Sequence, residues 1–224
     1  MNSRKFFKRL RNSLRPHMKW LFVFGKGMSL MYSRRSFLRE SGYVESVARR
    51  MPCRRDGTPL PWMNYGIIDL LEERLDRELD LFEYGSGNST VFYANRVREV
   101  VSVEEDPGWY QYIRNRVPAN ARIHLVSPYD TQTYSEFIAR FDKEFDVVVV
   151  DGNDRSACLT VATKHLSPRG VIILDDTQDG EYESATNKLQ EGGYKRLDVK
   201  GLKPGGIRSY TTSVFYREEN CLGL

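Results

Sequence analysis

The chain of 224 residues is 40% hydrophobic and 12% aromatic, which is enough to bury a core and excludes a disordered protein. No run reaches the roughly 18 to 20 apolar residues that a membrane-spanning helix needs. The three widely separated cysteines exclude a disulfide framework and a cysteine-bound zinc site. The net charge of +4 is unevenly distributed, because residues 1–39 carry eleven Lys or Arg and no acid. Residues 40–224 therefore carry 23 basic and 30 acidic residues, a net charge of −7, and we expect a cytoplasmic protein with a basic arm and a mildly acidic body.

The basic arm, residues 1–39, combines its cations with bulky apolar residues at helical spacing from Phe6 to Phe22, interrupted at Pro16. Three interpretations stay open: a solvated helix over one side of the body, peripheral contact with the inner membrane surface or a partner, and non-specific contact with nucleic acid. No specific nucleic-acid recognition is expected. Residues 40–78 are predicted to form a helical cover, with helices over Ser36–Arg50 and Met63–Leu75.

Residues 79–224 alternate strand-like and helix-like segments, which predicts an α/β domain with a mostly parallel sheet and helices on both faces. The predicted strands are Asp80–Tyr84, Glu99–Glu104, Arg122–Val126, Phe145–Val150 and Val171–Leu174. The predicted helices between them are Ser89–Val97, Gly108–Arg116, Tyr134–Phe141 and Ala157–Leu166. The chain then ends in two strands with no intervening helix, Lys195–Val199 and Ser209–Arg217, which predicts an antiparallel pair at one sheet edge.

The first strand leads into a glycine-rich turn at the edge where parallel sheets bind ligands. Gly85 and Gly87 permit a tight turn and close approach of a ligand to the backbone. A dinucleotide site would have a third glycine where Thr90 stands, and Glu83 would repel a pyrophosphate. Glu104, 19 residues after Gly85, ends the next strand at the offset of an acid that binds ribose hydroxyls. Together these features predict a nucleoside with a cationic group, such as S-adenosylmethionine.

Carboxylates follow the two central strands. Asp151 ends the fourth strand, and Asp175 and Asp176 end the fifth, so adjacent strands bring the three acids together. Such a cluster needs a compensating cation or proton, and Mg²⁺ is a candidate because it prefers oxygen ligands. Arg155 is an alternative partner that could neutralise Asp151 and make a metal unnecessary. The three histidines do not follow strands at this edge and are interpreted as structural.

The stretches EYGSGNST, VVSVEED, VVVVDG and SPRGVIILDD resemble the class I S-adenosylmethionine-dependent methyltransferases over residues 58–218. The resemblance implies a Rossmann-like fold of seven strands with a C-terminal antiparallel pair. It also implies that the glycine turn faces the methionine part of the cofactor, that Glu104 binds the ribose and that Tyr65 reaches the cofactor's carboxylate. The cofactor-binding residues expected are Tyr65, Glu83, Gly85, Ser86, Gly87, Asn88, Ser89, Thr90, Glu104 and Asp151.

The acid cluster is similar to that of metal-dependent O-methyltransferases of the catechol and sugar-modifying types, which implies Asp151, Asp175 and Asp176 as Mg²⁺ ligands. The match is incomplete, because the catechol type has a lysine at the position of Asp154 and the sugar-modifying type an acid at the position of Asn153. The predicted catalytic residues are Asp151, Arg155 and Asp154, the last as a candidate base.

These features predict methyl transfer to oxygen, on a sugar hydroxyl of a glycan or on a small metabolite. Two alternatives stay open. An aminopropyl transferase would use a decarboxylated form of the same cofactor, and a cofactor-binding or membrane-adaptor protein would have no catalytic activity. The acceptor is expected near Trp62, Tyr65, the residues after Asp151, and residues 177–181.

Overall fold

The computed structural model describes residues 19–126 and 131–224, and the apolar pattern predicted around Phe6 to Met18 lies outside them. Four helices precede the sheet: α1 (Lys19–Tyr32), α2 (Phe37–Glu40), α3 (Tyr43–Arg49) and α4 (Tyr65–Arg74). The predicted helix over Ser36–Arg50 is broken at Gly42, which has a φ of +85° and where a Cβ would lie 2.2 Å from the Cys53 carbonyl oxygen. No helix among the described residues is long and apolar enough to cross a bilayer.

The remaining elements alternate as the sequence predicts. In chain order they are β1 (Asp80–Tyr84), α5 (Asn88–Ala94), β2 (Glu99–Glu104), α6 (Pro107–Ile113), β3 (Ala121–Leu125), α7 (Thr131–Glu136), β4 (Phe145–Val150), α8 (Arg155–Ala162), β5 (Leu166–Leu174), α9 (Glu183–Glu191), β6 (Lys195–Leu202) and β7 (Ser209–Tyr216). Short 3₁₀ turns occupy Phe137–Arg140 and Thr177–Asp179.

The seven strands form one sheet in the order β3-β2-β1-β4-β5-β7-β6. The first five strands pair in parallel, whereas β7 pairs antiparallel with both β5 and β6. The predicted Rossmann-like sheet with a C-terminal antiparallel pair is therefore confirmed. Several bounds differ from prediction; for example, α8 ends at Ala162 rather than Leu166, and β5 begins at Leu166 rather than Val171. No helix is predicted for the polar segment that forms α9.

The core lies on both faces of the central strands. Val147 and Val149 of β4 point to one face, where they pack with Ile67 of α4 and with Phe92 of α5. Val148 and Val150 point to the other face and pack with Leu159 of α8. A strand buried on both sides cannot alternate apolar and polar residues, and this explains the continuous valine run of β4.

The cover is joined to the sheet through Asn64, the fully buried N-cap of α4. Its side-chain oxygen accepts a hydrogen bond from the Ile67 N–H, and its amide donates to the Val199 carbonyl and the Thr212 hydroxyl. One side chain therefore caps α4 and fixes that helix to both C-terminal strands.

Candidate functional site

The glycine turn between β1 and α5 brings the backbone close to the end of β4. Gly85 has a φ of +100°, and a Cβ there would lie 3.3 Å from the Asp151 carbonyl oxygen. A Cβ on Gly87 would lie 3.5 Å from the Trp109 ring. Both glycines therefore leave room that a side chain would fill, and Gly85 also has a backbone conformation that other residues rarely adopt.

Glu83 lies beneath this turn and is 1% exposed. Its carboxylate accepts hydrogen bonds from the hydroxyls of Ser89, Thr90 and Ser102. Burial nevertheless raises the pKa of Glu83 to about 7. Thr90 also accepts a hydrogen bond from the Gly87 N–H at 3.0 Å. Thr90 therefore stabilises the turn in place of a third glycine, and the buried acid beneath it favours a cationic ligand.

Glu104 ends β2 beside the turn and is almost fully buried. One oxygen accepts the backbone N–H groups of Glu105 and Asp106 at 2.9 and 3.0 Å, and the other accepts the Ser86 hydroxyl at 2.6 Å. Trp109, which no sequence motif indicates, donates its indole N–H to the Ser86 carbonyl at 2.8 Å. These contacts fix the position of Glu104 relative to the glycine turn.

Three openings share Asp151 in their linings. A polar groove of about 250 Å³ contains most of the predicted cofactor residues. A cleft of about 390 Å³ lies between the cover and the turn, and an open cavity of about 590 Å³ lies toward the C-terminal strands. Asp151 borders all three. The groove is lined by Glu83, Gly85, Ser86, Ser89, Glu104, Glu105, Tyr134, Asp151, Gly152, Asn153 and Arg155.

The three predicted acids lie together, with one oxygen from each of Asp151, Asp175 and Asp176 within 4.8 Å of the others. Two basic residues contact them. Lys203, in the loop after β6, places its ammonium 2.6 Å from Asp175 and 2.7 Å from Asp176. Arg155 places its guanidinium 3.0 Å from Asp151. Arg155 is the alternative partner for Asp151 that the sequence suggests, whereas no sequence pattern indicates Lys203.

Asp175 is completely buried, and its oxygens are already bonded. One accepts the Thr212 hydroxyl at 2.5 Å, and the other accepts the Lys203 ammonium. Burial raises the pKa of Asp175, whereas the adjacent Lys203 lowers it. Burial alone would lower the pKa of Lys203, but contact with Asp175 and Asp176 raises it. The pair therefore consists of a carboxylate and an ammonium that each stabilise the charged form of the other.

This arrangement does not fit Mg²⁺. An ammonium lies between Asp175 and Asp176, where the ion would have to bind, and a guanidinium occupies one oxygen of Asp151. A divalent ion would have to displace the Lys203 ammonium, which is buried and paired with both Asp175 and Asp176. Lys203 and Arg155 therefore supply the positive charge that the acid cluster requires. Magnesium stays a prediction from the sequence.

One expectation is corrected. Tyr65 lies in the core, 6% exposed, with its ring edge-on to Phe37 at 5.4 Å, and burial raises its pKa to about 12. It therefore does not face the groove, whereas Arg50 borders the cleft beside the glycine turn. Asp154 caps α8 by accepting the Ala157 N–H, and its role as a base stays a prediction.

The other predicted residues lie at the openings or support them. Asn88 borders the cleft and donates to the Pro52 carbonyl at 2.7 Å, which joins the turn to the cover. Trp62 borders both the cleft and the C-terminal cavity. His124 lies on the outer strand β3, and its side chain packs against the rings of Phe137 and Phe141, as is typical of a structural histidine.

The sheet order, the glycine turn and the acid that ends β2 define the class I methyltransferase fold. Residues 82–177 match the family model described as "Methyltransferase domain". The predicted resemblance to class I methyltransferases is therefore confirmed over these residues. No curated protein matches the chain.

Three solved structures illustrate the likeness in fold. Precorrin-6y C5,15-methyltransferase from Geobacter metallireducens is 19% identical with a TM-score of 0.51, over 68% of this chain and 87% of that one. The O-methyltransferase TomG from Streptomyces achromogenes, in complex with S-adenosylmethionine, is 18% identical with a TM-score of 0.51, over 66% and 76%. Spermidine synthase from Thermotoga maritima is 14% identical with a TM-score of 0.52, over 68% and 57%. At these identities the likeness shows the fold alone.

Proposed function

We propose that this chain is an S-adenosylmethionine-dependent methyltransferase that acts on a hydroxyl group of a sugar or another small polar molecule. The observation that carries the proposal is the position of Asp151. It borders the polar groove that contains Glu83 and Glu104, and it also borders the cavity that opens toward Lys203. An in-line transfer requires the donor and the acceptor to meet at one point, and Asp151 stands at that point.

The groove suits the cofactor in charge and shape. Glu104 offers a carboxylate to ribose hydroxyls, and the open backbone at Gly85 and Gly87 allows close approach. Glu83, Glu104 and Glu105 give the groove an acidic lining that favours a cation. Arg50, beside the same turn, is the residue we assign to the cofactor's carboxylate in place of Tyr65. S-adenosylmethionine supplies the methyl group on a positively charged sulfur.

The C-terminal cavity combines apolar walls with charged groups. Trp62, Ile207 and Tyr210 provide the walls, whereas Asp151, Asp176 and Lys203 provide the polar groups. A sugar has the same two-sided character, since its C–H face packs on aromatic rings and its hydroxyls form hydrogen bonds. This lining supports a hydroxylated acceptor, either free or as part of a glycan.

Asp151 is the group we assign to proton removal. Arg155 donates to only one of its two oxygens. Burial and the nearby Asp175 raise the pKa of Asp151, although Arg155 opposes the shift. A carboxylate with a raised pKa is a stronger base toward a hydroxyl proton than an exposed aspartate. Arg155 also donates to the Gly152 and Asp175 carbonyls at 3.0 and 2.5 Å, so it positions the loops after β4 and β5.

Aminopropyl transfer, the alternative on this fold, is less well supported. It would require free carboxylates for a polyamine, but Lys203 and Arg155 neutralise the acid cluster. A polyamine entering the cavity would also meet the Lys203 ammonium at close range.

The experiment is transfer of a labelled methyl group from saturating S-adenosylmethionine to a panel of sugars and small hydroxylated metabolites. For an accepted substrate we expect Asp151→Asn to lower kcat about 10²-fold or more, and excess EDTA to have no effect. Asp69→Asn, at an exposed carboxylate on α4, is the matched control. Full activity of Asp151→Asn would contradict the role of Asp151. Transfer of an aminopropyl group, or cofactor binding without transfer to any acceptor, would contradict the proposed function.

A further inference from the structure

The helix α1 exposes an unusual amount of apolar surface. None of its 14 residues is buried, and Trp20 and Phe24 are 79% and 67% exposed. The large apolar residues exposed on α1 are Trp20, Leu21, Val23, Phe24, Met28, Leu30, Met31 and Tyr32. A soluble surface rarely carries so large a contiguous apolar patch unless something covers it.

These residues are not spread evenly around the helix. At 3.6 residues per turn they occupy an arc of about 200°, and the remaining arc contains Lys19, Gly25, Lys26, Ser29 and the partly buried Phe22. A helix docked in a protein groove buries a narrower stripe. A helix that lies in the plane of a bilayer surface has acyl chains around one half of its circumference and headgroups around the other. The width of the apolar arc on α1 matches the second arrangement.

The positive charge around α1 indicates that the surface it contacts is anionic. The arm carries eleven basic residues and no acid, whereas residues 40–224 have a net charge of −7. Arg34 and Arg35, directly after α1, are exposed and form no ion pair with any described residue. An anionic surface would attract the arm and repel the body. Contact between the arms of two copies would instead bring their cations together.

We propose that α1 anchors this protein on anionic membrane surfaces, with its apolar arc among the acyl chains and with Lys19, Lys26, Arg34 and Arg35 at the headgroups. The helix is about 21 Å long, so it lies on the membrane and does not cross it. This proposal is independent of the methyltransferase activity, because it depends only on residues outside the groove and the C-terminal cavity.

The test is partition of the full chain onto vesicles of phosphatidylcholine alone and of phosphatidylcholine mixed with phosphatidylglycerol. We expect strong binding only to the mixed vesicles, and loss of that binding at high salt. Trp20→Ser with Phe24→Ser should weaken partition at least tenfold, because both side chains would no longer be buried. Arg34→Ala with Arg35→Ala should weaken it about 30-fold, since each cation near the surface contributes about 1 kcal/mol.

Lys164→Ala with Lys188→Ala is the matched control, because it removes the same charge from exposed positions of the body. We expect this pair to change partition by less than about twofold. Equal binding to both kinds of vesicle, or an equal effect of the two charge pairs, would overturn the proposal. The proposal would also be overturned if the wild type self-associated and Trp20→Ser with Phe24→Ser abolished that association, because α1 would then contact a second copy of the chain.

Discussion

Replacing Lys203 with methionine tests whether a lysine ammonium acts as the cation of the acid cluster. Methionine keeps most of the apolar length of the side chain but removes the charge. The variant leaves Asp175, which is fully buried, with only the Thr212 hydroxyl, and leaves Asp176 without its short ion pair. Breaking a buried ion pair by removing one partner costs about 3–5 kcal/mol. We therefore expect Lys203→Met to lower the free energy of unfolding at neutral pH by that amount.

Urea denaturation of the wild type and the variant measures this difference. Adding Asp175→Asn to Lys203→Met should restore much of the stability, because it removes the uncompensated charge. Mg²⁺ should leave the Tm of the wild type unchanged and raise the Tm of Lys203→Met, in which the place of the ammonium is vacant. The reasoning would be refuted if Lys203→Met were as stable as the wild type, or if Mg²⁺ stabilised the wild type saturably.

Two further predictions concern the glycine turn and the acid beneath it. Gly85→Ala should weaken S-adenosylmethionine binding in calorimetry, because its Cβ would press on the Asp151 carbonyl. Gly193→Ala, at a similar φ of +87° but in open space, should cost about 1 kcal/mol of stability and leave binding unchanged. Folding raises the pKa of Glu83 from 4.5 to about 7. The protonated side chain therefore contributes its full share of the free energy of unfolding below about pH 4.5, and the wild type loses about 3 kcal/mol of that free energy as the pH rises through 7. Glu83→Gln should abolish that fall in urea titrations at about pH 5 and pH 8.

Equal effects of the two glycine variants on binding would show that crowding at Asp151 is unimportant. A fall in stability that persists in Glu83→Gln would assign the pH dependence to another group.

The strands of the sheet were predictable because each is marked by residues that are adjacent in the sequence. β1, β2 and β4 have the predicted bounds, since each is a short apolar run that ends at a turn or an acid. The position of Glu104 beside the glycine turn follows from the parallel register of β1 and β2, which pairs Glu83 with Ser102. Residues at the ends of adjacent parallel strands meet at one edge, and this also predicted the meeting of Asp151 with Asp175.

The partners of these acids were not predictable by the same reasoning. Lys203 lies 27 residues after Asp176 in sequence, beyond α9 and β6. It reaches the cluster because β5 and β6 are both antiparallel to β7, so both strands end at the same edge of the sheet. The resemblance implies that Tyr65 reaches the cofactor, whereas its ring is buried in the core beside the half-exposed Phe37. A one-dimensional pattern does not specify which face of a helix packs inward when both faces carry apolar residues, as in α4.

The most direct test of the proposed function is calorimetric titration of the protein with S-adenosylmethionine and with its demethylated product, with magnesium and again with excess EDTA. We predict saturable binding that is the same in both conditions and about tenfold or more weaker in Glu104→Gln, which loses charged hydrogen bonds. Glu99→Gln, at the other end of β2 and paired with Lys143, is the matched control and should bind as the wild type does. Failure of both ligands to bind, or full affinity in Glu104→Gln, would contradict the assignment of this groove to S-adenosylmethionine.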